Sequence, residues 1–216
     1  ASYLNSTAVQ SPSFNCSVPG NYSLTYTVTD SNGCEGSDTL DLIVYPNPVP
    51  SITVDGSSGP SADTCLGVAT DIDGNPTSGS GVWTLHEWTG SGAVFLDSTS
   101  IVDPVFTCGS PGMYTLNYRV VDNEGCEGTD SINITVHDNP TSDILVEGFP
   151  VSTTDVCASE TISLNGNPSG GSGSWSSHLW QGNGASYLSS ATSVSPTFNC
   201  DSPGSYNLTY TVTDSF

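Results

Sequence analysis

Apolar and polar residues alternate along this chain in short runs, separated by clusters of Gly, Pro, Asn and Asp. In SINITVH (131–137), Ile132, Ile134 and Val136 fall on one face and Asn133 and Thr135 on the other. This period of two marks a half-buried strand. LDLIV (40–44) repeats it, which predicts that Leu40, Leu42 and Val44 face a core in the same way. Between residues 48 and 139 the runs predict strands near 51–54, 66–72, 82–89, 93–96, 104–107, 113–121 and 129–137. No stretch carries a useful helical period. Strands this short, at this spacing and with turn signals between them, predict an all-β sandwich of immunoglobulin-like size.

An offset of 92 residues lays the sequence on itself without a gap. Cys16 falls on Cys108 and Cys200, Cys34 on Cys126, Cys65 on Cys157, Trp83 on Trp175, His86 on His178 and Trp88 on Trp180. All seven cysteines obey the period, so the architecture is a tandem repeat. Pro-rich YPNPVP (45–50) and HDNPTS (137–142) form natural joints. They divide the chain into the closing half of one sandwich (1–47), a complete copy (48–139) and a third copy lacking its last strand (140–216). The pattern predicts a window cut from a longer array.

Charge narrows the function. Against 22 acidic residues there is one cation, Arg119, for a formal charge of −21. Nucleic acids and anionic membranes are held by Lys and Arg, so both are excluded as partners. No run approaches a membrane span of about 18 apolar residues, so direct insertion is not expected, and the first residues carry no secretory leader pattern. Seven cysteines and the sequons at Asn5, Asn15, Asn21, Asn133 and Asn207 point to an oxidising, extracellular setting.

A tyrosine follows Pro-Gly, with one residue between, at Tyr22, Tyr114 and Tyr206, the place of a tyrosine corner before a sixth strand. Two residues on, an antibody domain has its second cysteine; here Leu24, Leu116 and Leu208 stand instead. PGNYSLTYTVTDSNGC (19–34) and VCASETISLNGNPSGGSGSW (156–175) resemble the closing and opening halves of polycystic-kidney-disease (PKD)-like and immunoglobulin-like repeats. The similarity is strongest to those of large Bacteroidota surface adhesins, including gliding-motility adhesins, and it covers nearly the whole chain. One departure is that the usual Trp-Asp-Phe-Gly-Asp-Gly element is reduced to WTGSG (88–92) and WQGNG (180–184). The resemblance implies an exported, cell-surface, non-enzymatic protein. It also implies O-glycosylation at Asp-Ser/Thr-aliphatic tripeptides, here Thr39 in DTL (38–40) and Ser131 in DSI (130–132).

In an immunoglobulin-type sandwich, the start of the second strand and the fifth-to-sixth strand connection lie at one end. Cys65 with Cys108, and Cys157 with Cys200, are therefore the structural disulfide candidates, each worth about 4 kcal/mol in the chain-entropy account. Cys34 and Cys126 sit on the hairpins DSNGCEG (30–36) and DNEGCEG (122–128). Some eight strand residues carry these tips about 25 Å away, beyond the roughly 7 Å Cα separation a disulfide allows. Three readings compete: an exposed thiol, a bond to another repeat or another chain, or a different pairing scheme altogether.

DIDGN (71–75) offers Asp71, Asp73 and Asn75 as calcium ligands. One period later the stretch is SLNGN, so an acidic turn explains it better, and no cofactor is expected. Asp30, Asp122 and Asp214 open hairpins, where Asp bonds its own backbone. His86 and His178 lack the converging partners of a zinc site. Of Trp83 and Trp88, and of Trp175 and Trp180, one each is expected in the core, leaving the other as a candidate sugar or protein contact. No catalytic motif is present. The expected function is a non-enzymatic extracellular stalk, fibre or filament whose partners are neighbouring repeats and copies of itself. The alternative is a module that grips a surface glycan or protein through exposed aromatics.

Overall fold

The computed structural model describes residues 2–215; Ala1 and Phe216, the outer limits of the first and third copies, lie outside the described residues. The first copy contributes β1 (Gly20–Thr29) and β2 (Glu35–Val44). The second holds β3 (Pro48–Val49), β4 (Thr53–Val54), β5 (Ser57–Ser58), β6 (Ser61–Cys65), β7 (Ala69–Asp73), β8 (Thr77–Ser78), β9 (Trp83–Thr89), β10 (Val105–Thr107), β11 (Gly112–Asp122) and β12 (Glu127–His137). The third holds β13 (Pro140–Ser142), β14 (Leu145–Val146), β15 (Phe149–Pro150), β16 (Thr161–Asn165), β17 (Pro168–Gly170), β18 (Trp175–Gln181), β19 (Thr197–Asn199) and β20 (Thr209–Asp214).

The fold is an all-β, immunoglobulin-like sandwich. The second copy has one sheet ordered β10-β7-β4-β5 and another ordered β6-β12-β11-β9. β12 is antiparallel to β11 and parallel to β6, with Asn133 opposite Ser61 and His137 opposite Cys65. The strand expected at 66–72 begins only at Ala69, and residues 66–68 form the turn that follows β6. Gly67, at φ 75°, turns the chain between β6 and β7, so Cys65 closes one strand and does not open the next. The expected strand at 93–96 is instead a 3-10 turn over Ala93–Phe95, where Gly92 adopts helical dihedrals and the backbone bonds span three residues. An apolar run of four is too short for alternation to distinguish the two.

By contacts, the chain divides into two compact units: residues 1–60, 71–105 and 116–132, and residues 61–70, 106–115 and 133–216. In the first, Ile52, Val54, Ile72, Trp88, Leu116, Tyr118, Val120 and Ile132 are buried. Trp88 packs tilted against Tyr118 with ring centroids 4.5 Å apart and donates its indole N–H to Ile101 O at 2.8 Å. Gly74 is required beneath that ring, because a Cβ there would run into Tyr118. In the second unit, Phe106, Cys108, Ile134 and Val136 are buried, as is a cluster of Ile162, Leu164, Trp180, Phe198, Cys200 and Tyr210. Each such apolar side chain contributes about 1.5–3 kcal/mol by leaving water. Ile132, Ile134 and Val136 face the core as their alternation predicts. Leu40 does not: it is 58% exposed, on a hairpin in which β2 is hydrogen-bonded to β1 alone among the described residues.

Candidate functional site

Two ends of the sandwich carry the chemistry-bearing residues. At one end, the turn after β6 folds back so that Gly67 N–H donates to Cys108 O at 2.9 Å and Leu66 N–H to His137 O at 2.9 Å. The third copy repeats the arrangement, with Ser159 N–H donating to Cys200 O at 2.8 Å. Cys65 and Cys108, and likewise Cys157 and Cys200, are therefore brought to the same end. All seven cysteines stand as thiols, with Cys108 and Cys200 buried and Cys157 exposed. The Cys108 thiol donates to Ser110 O at 3.2 Å, the same carbonyl that receives the Tyr114 hydroxyl at 3.0 Å. Cys16 and Tyr22 converge on Val18 O, and Cys200 and Tyr206 on Ser202 O. These are tyrosine corners, placed where the Pro-Gly-Tyr spacing puts them. The neighbouring cysteine, then burial, hold all three phenols above the usual tyrosine range.

The other end is built on a buried carboxylate. Asp122 is 2% exposed. Its Oδ1 accepts from Glu124 N at 3.0 Å and Cys126 N at 2.8 Å, which closes the hairpin. Its Oδ2 accepts from Ser80 N at 2.8 Å, which ties the hairpin to the loop before β9. Burial alone would push the Asp122 carboxyl up; the three backbone donors outweigh it and hold the group below the usual carboxylate range. Asp214 accepts from Ser172 N at 2.7 Å in the third copy, and Asp30 accepts from Asn32 N and Cys34 N in the first. The turn role follows from the sequence, whereas the long-range tie to Ser80 has no local signal. Cys126 is half-buried; burial, then the charges of Asp122 and Glu124, push its thiol up. Cys34 is exposed.

The joint between copies is short. β12 ends at His137 beside Cys65, and Pro140 already pairs with Gly170, leaving Asp138 and Asn139 between. Burial, then the charge of Asp214, raise the Cys65 thiol above the usual cysteine range.

The remaining candidates settle into local roles. Asp73 accepts from Asn75 N at 2.8 Å, and Asn75, at φ 41°, donates to Thr53 Oγ1 at 2.9 Å. Neutral Asn165 does the same for Asn167 one period later, so the shared task of this stretch is the turn. Asp71 is exposed, its N–H donating to Asp55. Among the described residues no cluster of three or more His, Cys, Asp or Glu converges as metal ligands. His86 and His178 each share a 2.6 Å hydrogen bond with a core tyrosine, Tyr118 and Tyr210. Trp88 and Trp180 fill cores, while Trp83 and Trp175 are half-buried with indole nitrogens lacking a hydrogen-bond partner among the described residues. Neither is an open stacking platform. Thr39 and Ser131 lie exposed on β2 and β12. Ser131 borders a shallow depression with Glu87, Asn117, Arg119 and Asp130. No helix among the described residues is long and apolar enough to cross a membrane.

No protein-family model matches the chain, and no curated protein matches it. Solved structures do. Protocadherin Gamma B7 extracellular cadherin domains 1–4 align at 12% identity and a TM-score of 0.32, over 90% of this chain and 57% of that one. The human Desmocollin-1 ectodomain aligns at 12% identity and 0.30, over 90% and 41%. A Bacteroides ovatus mixed-linkage glucan utilization locus protein, SGBP-B, in complex with a mixed-linkage heptasaccharide, aligns at 18% identity and 0.20, over 96% and 51%. The chain spans about half the length of the structures it matches. These superpositions are loose, and the fold stands on the chain's own strand pairing.

Proposed function

We propose that the chain is a non-enzymatic, extracellular tandem-repeat protein of the PKD-like surface-adhesin kind. Its copies, bounded near residues 47 and 139, serve as a disulfide-stapled stalk or fibre. The observation that carries this reading is the joint: two residues separate the end of β12 from the first ladder pair of the next copy. A linker that short, ending at a proline drawn into the next sheet, suits a spacer of closely spaced repeats. Cys65 and Cys108, with Cys157 and Cys200, are the internal staples, and Cys34 and Cys126 link to another repeat or chain. Exposed Thr39 and Ser131 are the O-glycosylation sites.

A non-reducing disulfide map tests this reading. The cutter is chymotrypsin, since trypsin finds only Arg119. The expected peptides join Cys65 to Cys108 and Cys157 to Cys200, with Cys34 and Cys126 recovered in peptides from a second repeat or molecule. Free thiols at all seven positions in material from an oxidising compartment would defeat the stapled-fibre reading.

A further inference from the structure

Two of the tyrosine corners carry a second tyrosine that the corner itself does not use. Tyr206 makes the corner through Ser202 O, and Tyr187, the last residue of the 3-10 turn at Ala185–Tyr187, stands edge-on to it, with ring centroids 5.1 Å apart and ring planes at 72°. Tyr3 and Tyr22 repeat the pair in the first copy, at 5.3 Å and 78°. A phenylalanine touches both rings in each case, Phe198 in the third copy and Phe14 in the first. The residue after the added tyrosine bridges to that phenylalanine, Leu188 to Phe198 and Leu4 to Phe14, which fixes where the ring stands. These two copies hold different sets of strands, yet the pair is the same in both, so it belongs to the repeat and not to its surroundings. Cys200 first, then burial, then a hydrogen bond with Tyr187 raise the Tyr206 phenol; Cys16, burial and Tyr3 act likewise on Tyr22. The phenolic edges of each pair therefore face one another, with the ring carbons ortho to the hydroxyls side by side.

We propose that Tyr187 with Tyr206, and Tyr3 with Tyr22, are sites of oxidative dityrosine formation, which staples the turn to the corner within one copy. The oxidant is hydrogen peroxide acting through a peroxidase. Each phenol gives up one electron and its O–H proton, and one peroxide is reduced to two waters for every two phenols oxidised. The two tyrosyl radicals join by a bond between ortho carbons, and the hydrogen on each joined carbon returns as a proton to a phenolic oxygen, so the pair loses two hydrogens in all. Rings already held edge to edge couple with each other before either meets a different partner. In the second copy the position of Tyr3 and Tyr187 is Phe95, which has no hydroxyl to oxidise, so that copy forms no such bond. Cys200 controls the reaction. Its thiol donates to the same Ser202 O as Tyr206, at 3.3 Å. A thiol there hands its hydrogen atom to the tyrosyl radical and restores the phenol, leaving a thiyl radical, whereas a sulfur in a disulfide has no hydrogen to give. Only this order of events, disulfide before dityrosine, rests on the stapled extracellular reading above.

The test is peroxidase with dilute hydrogen peroxide on the full chain with its seven cysteines changed to serine, at a protein concentration low enough to keep molecules apart. Dityrosine fluorescence is expected in a band that stays at monomer size on a denaturing gel, with an intact mass lower by two hydrogens for each pair. Tyr187→Phe is expected to halve the signal and Tyr3→Phe/Tyr187→Phe to abolish it; phenylalanine already stands at this position in the second copy, so the fold is kept. Tyr26→Phe, at a tyrosine that is 50% exposed, is expected to leave the signal unchanged. The unmodified chain is expected to match the serine chain once its disulfides are formed and to fall severalfold below it when fully reduced. A serine chain that couples beside an unmodified chain that forms no disulfide would defeat the stapled reading and leave this one standing. Fluorescence that survives the double substitution, or that appears only in covalent dimers, overturns the proposal. So does the absence of dityrosine from a serine chain whose circular dichroism matches that of the unmodified one.

Discussion

β1–β2 and β11–β12 are the same hairpin written twice, and they differ in what covers them. Tyr118, Val120 and Ile132 are 0%, 0% and 2% exposed; their counterparts Tyr26, Val28 and Leu40 are 50%, 54% and 58% exposed. The local structure is nonetheless alike: β1 and β2 keep ten paired residues in continuous antiparallel register, and Asp30 closes the turn as Asp122 does. Alternation and turn chemistry are therefore enough to make this hairpin, and burial is what the rest of the sandwich adds.

The largest effect should come from cutting the same methyl groups out of both. Ile132→Ala leaves a cavity in a packed core and is expected to cost about 2–5 kcal/mol. Leu40→Ala, on an exposed face, is expected to stay within about 0.5 kcal/mol. Urea unfolding followed by tryptophan fluorescence registers the first, since Trp83 and Trp88 belong to the second copy while Trp175 and Trp180 report the third. The second is followed by circular dichroism, since the first copy carries no tryptophan. Equal costs would mean that the two hairpins share an environment the structure does not give them.

Gly36 and Gly128 sharpen the contrast with a single added carbon. A Cβ on Gly128 would run into the Pro48 backbone, whereas one on Gly36 would meet only Val28 Cγ1 at 3.9 Å. Gly128→Ala is expected to cost about 1–3 kcal/mol by overpacking, and Gly36→Ala close to nothing. Thermal melts of the two variants decide it.

How much of this was legible in the sequence follows from where each signal is stored. The sandwich, the repeat and the tyrosine corners are periodic or local, and their residues fall where the letters place them. The break between β6 and β7 was not legible, because Gly67 interrupts an apolar run without interrupting its alternation. The 3-10 turn at 93–95 escaped for a similar reason, in too short a run. The exposure of Leu40 depends on covering strands that no local pattern can report. At the sites, Asp122 was recognisable as a turn former, but its bond to Ser80 spans 42 residues. The core role of His86 likewise rests on Tyr118, 32 residues away.

Acid should separate the hairpins next. Asp122 and Asp30 both have folded pKa values below the ordinary carboxylate value. Each therefore stabilises fully above the unfolded pKa of about 3.9, and that stabilisation is lost as pH falls below it through the folded value. Asp122 also anchors the loop at Ser80, so the second copy is expected to show the steeper loss, and Asp122→Asn to flatten it. Asp30→Asn should leave the tryptophan-reported transition unchanged. Denaturation midpoints between neutral pH and a pH of about 2 give both slopes, and a flat profile for the unmodified chain would show that these carboxylates carry no linkage.

Arg119 should matter least, although it is the chain's one cation. It bridges Glu127 at 2.6 Å and Glu87 at 3.3 Å across three strands, but it is 41% exposed and its partners more so. Exposed pairs of this kind contribute about 0–1 kcal/mol and weaken with salt. The other copies carry Thr27 and Thr211 at the same position, residues that suit a strand surface without any charge. Arg119→Thr is therefore expected to shift stability by less than about 1 kcal/mol at low salt, with the difference vanishing at high salt. A larger loss that survives salt would show the three-strand bridge to be a structural clamp peculiar to the second copy, and would make that copy, more than the repeat pattern, the source of its stability.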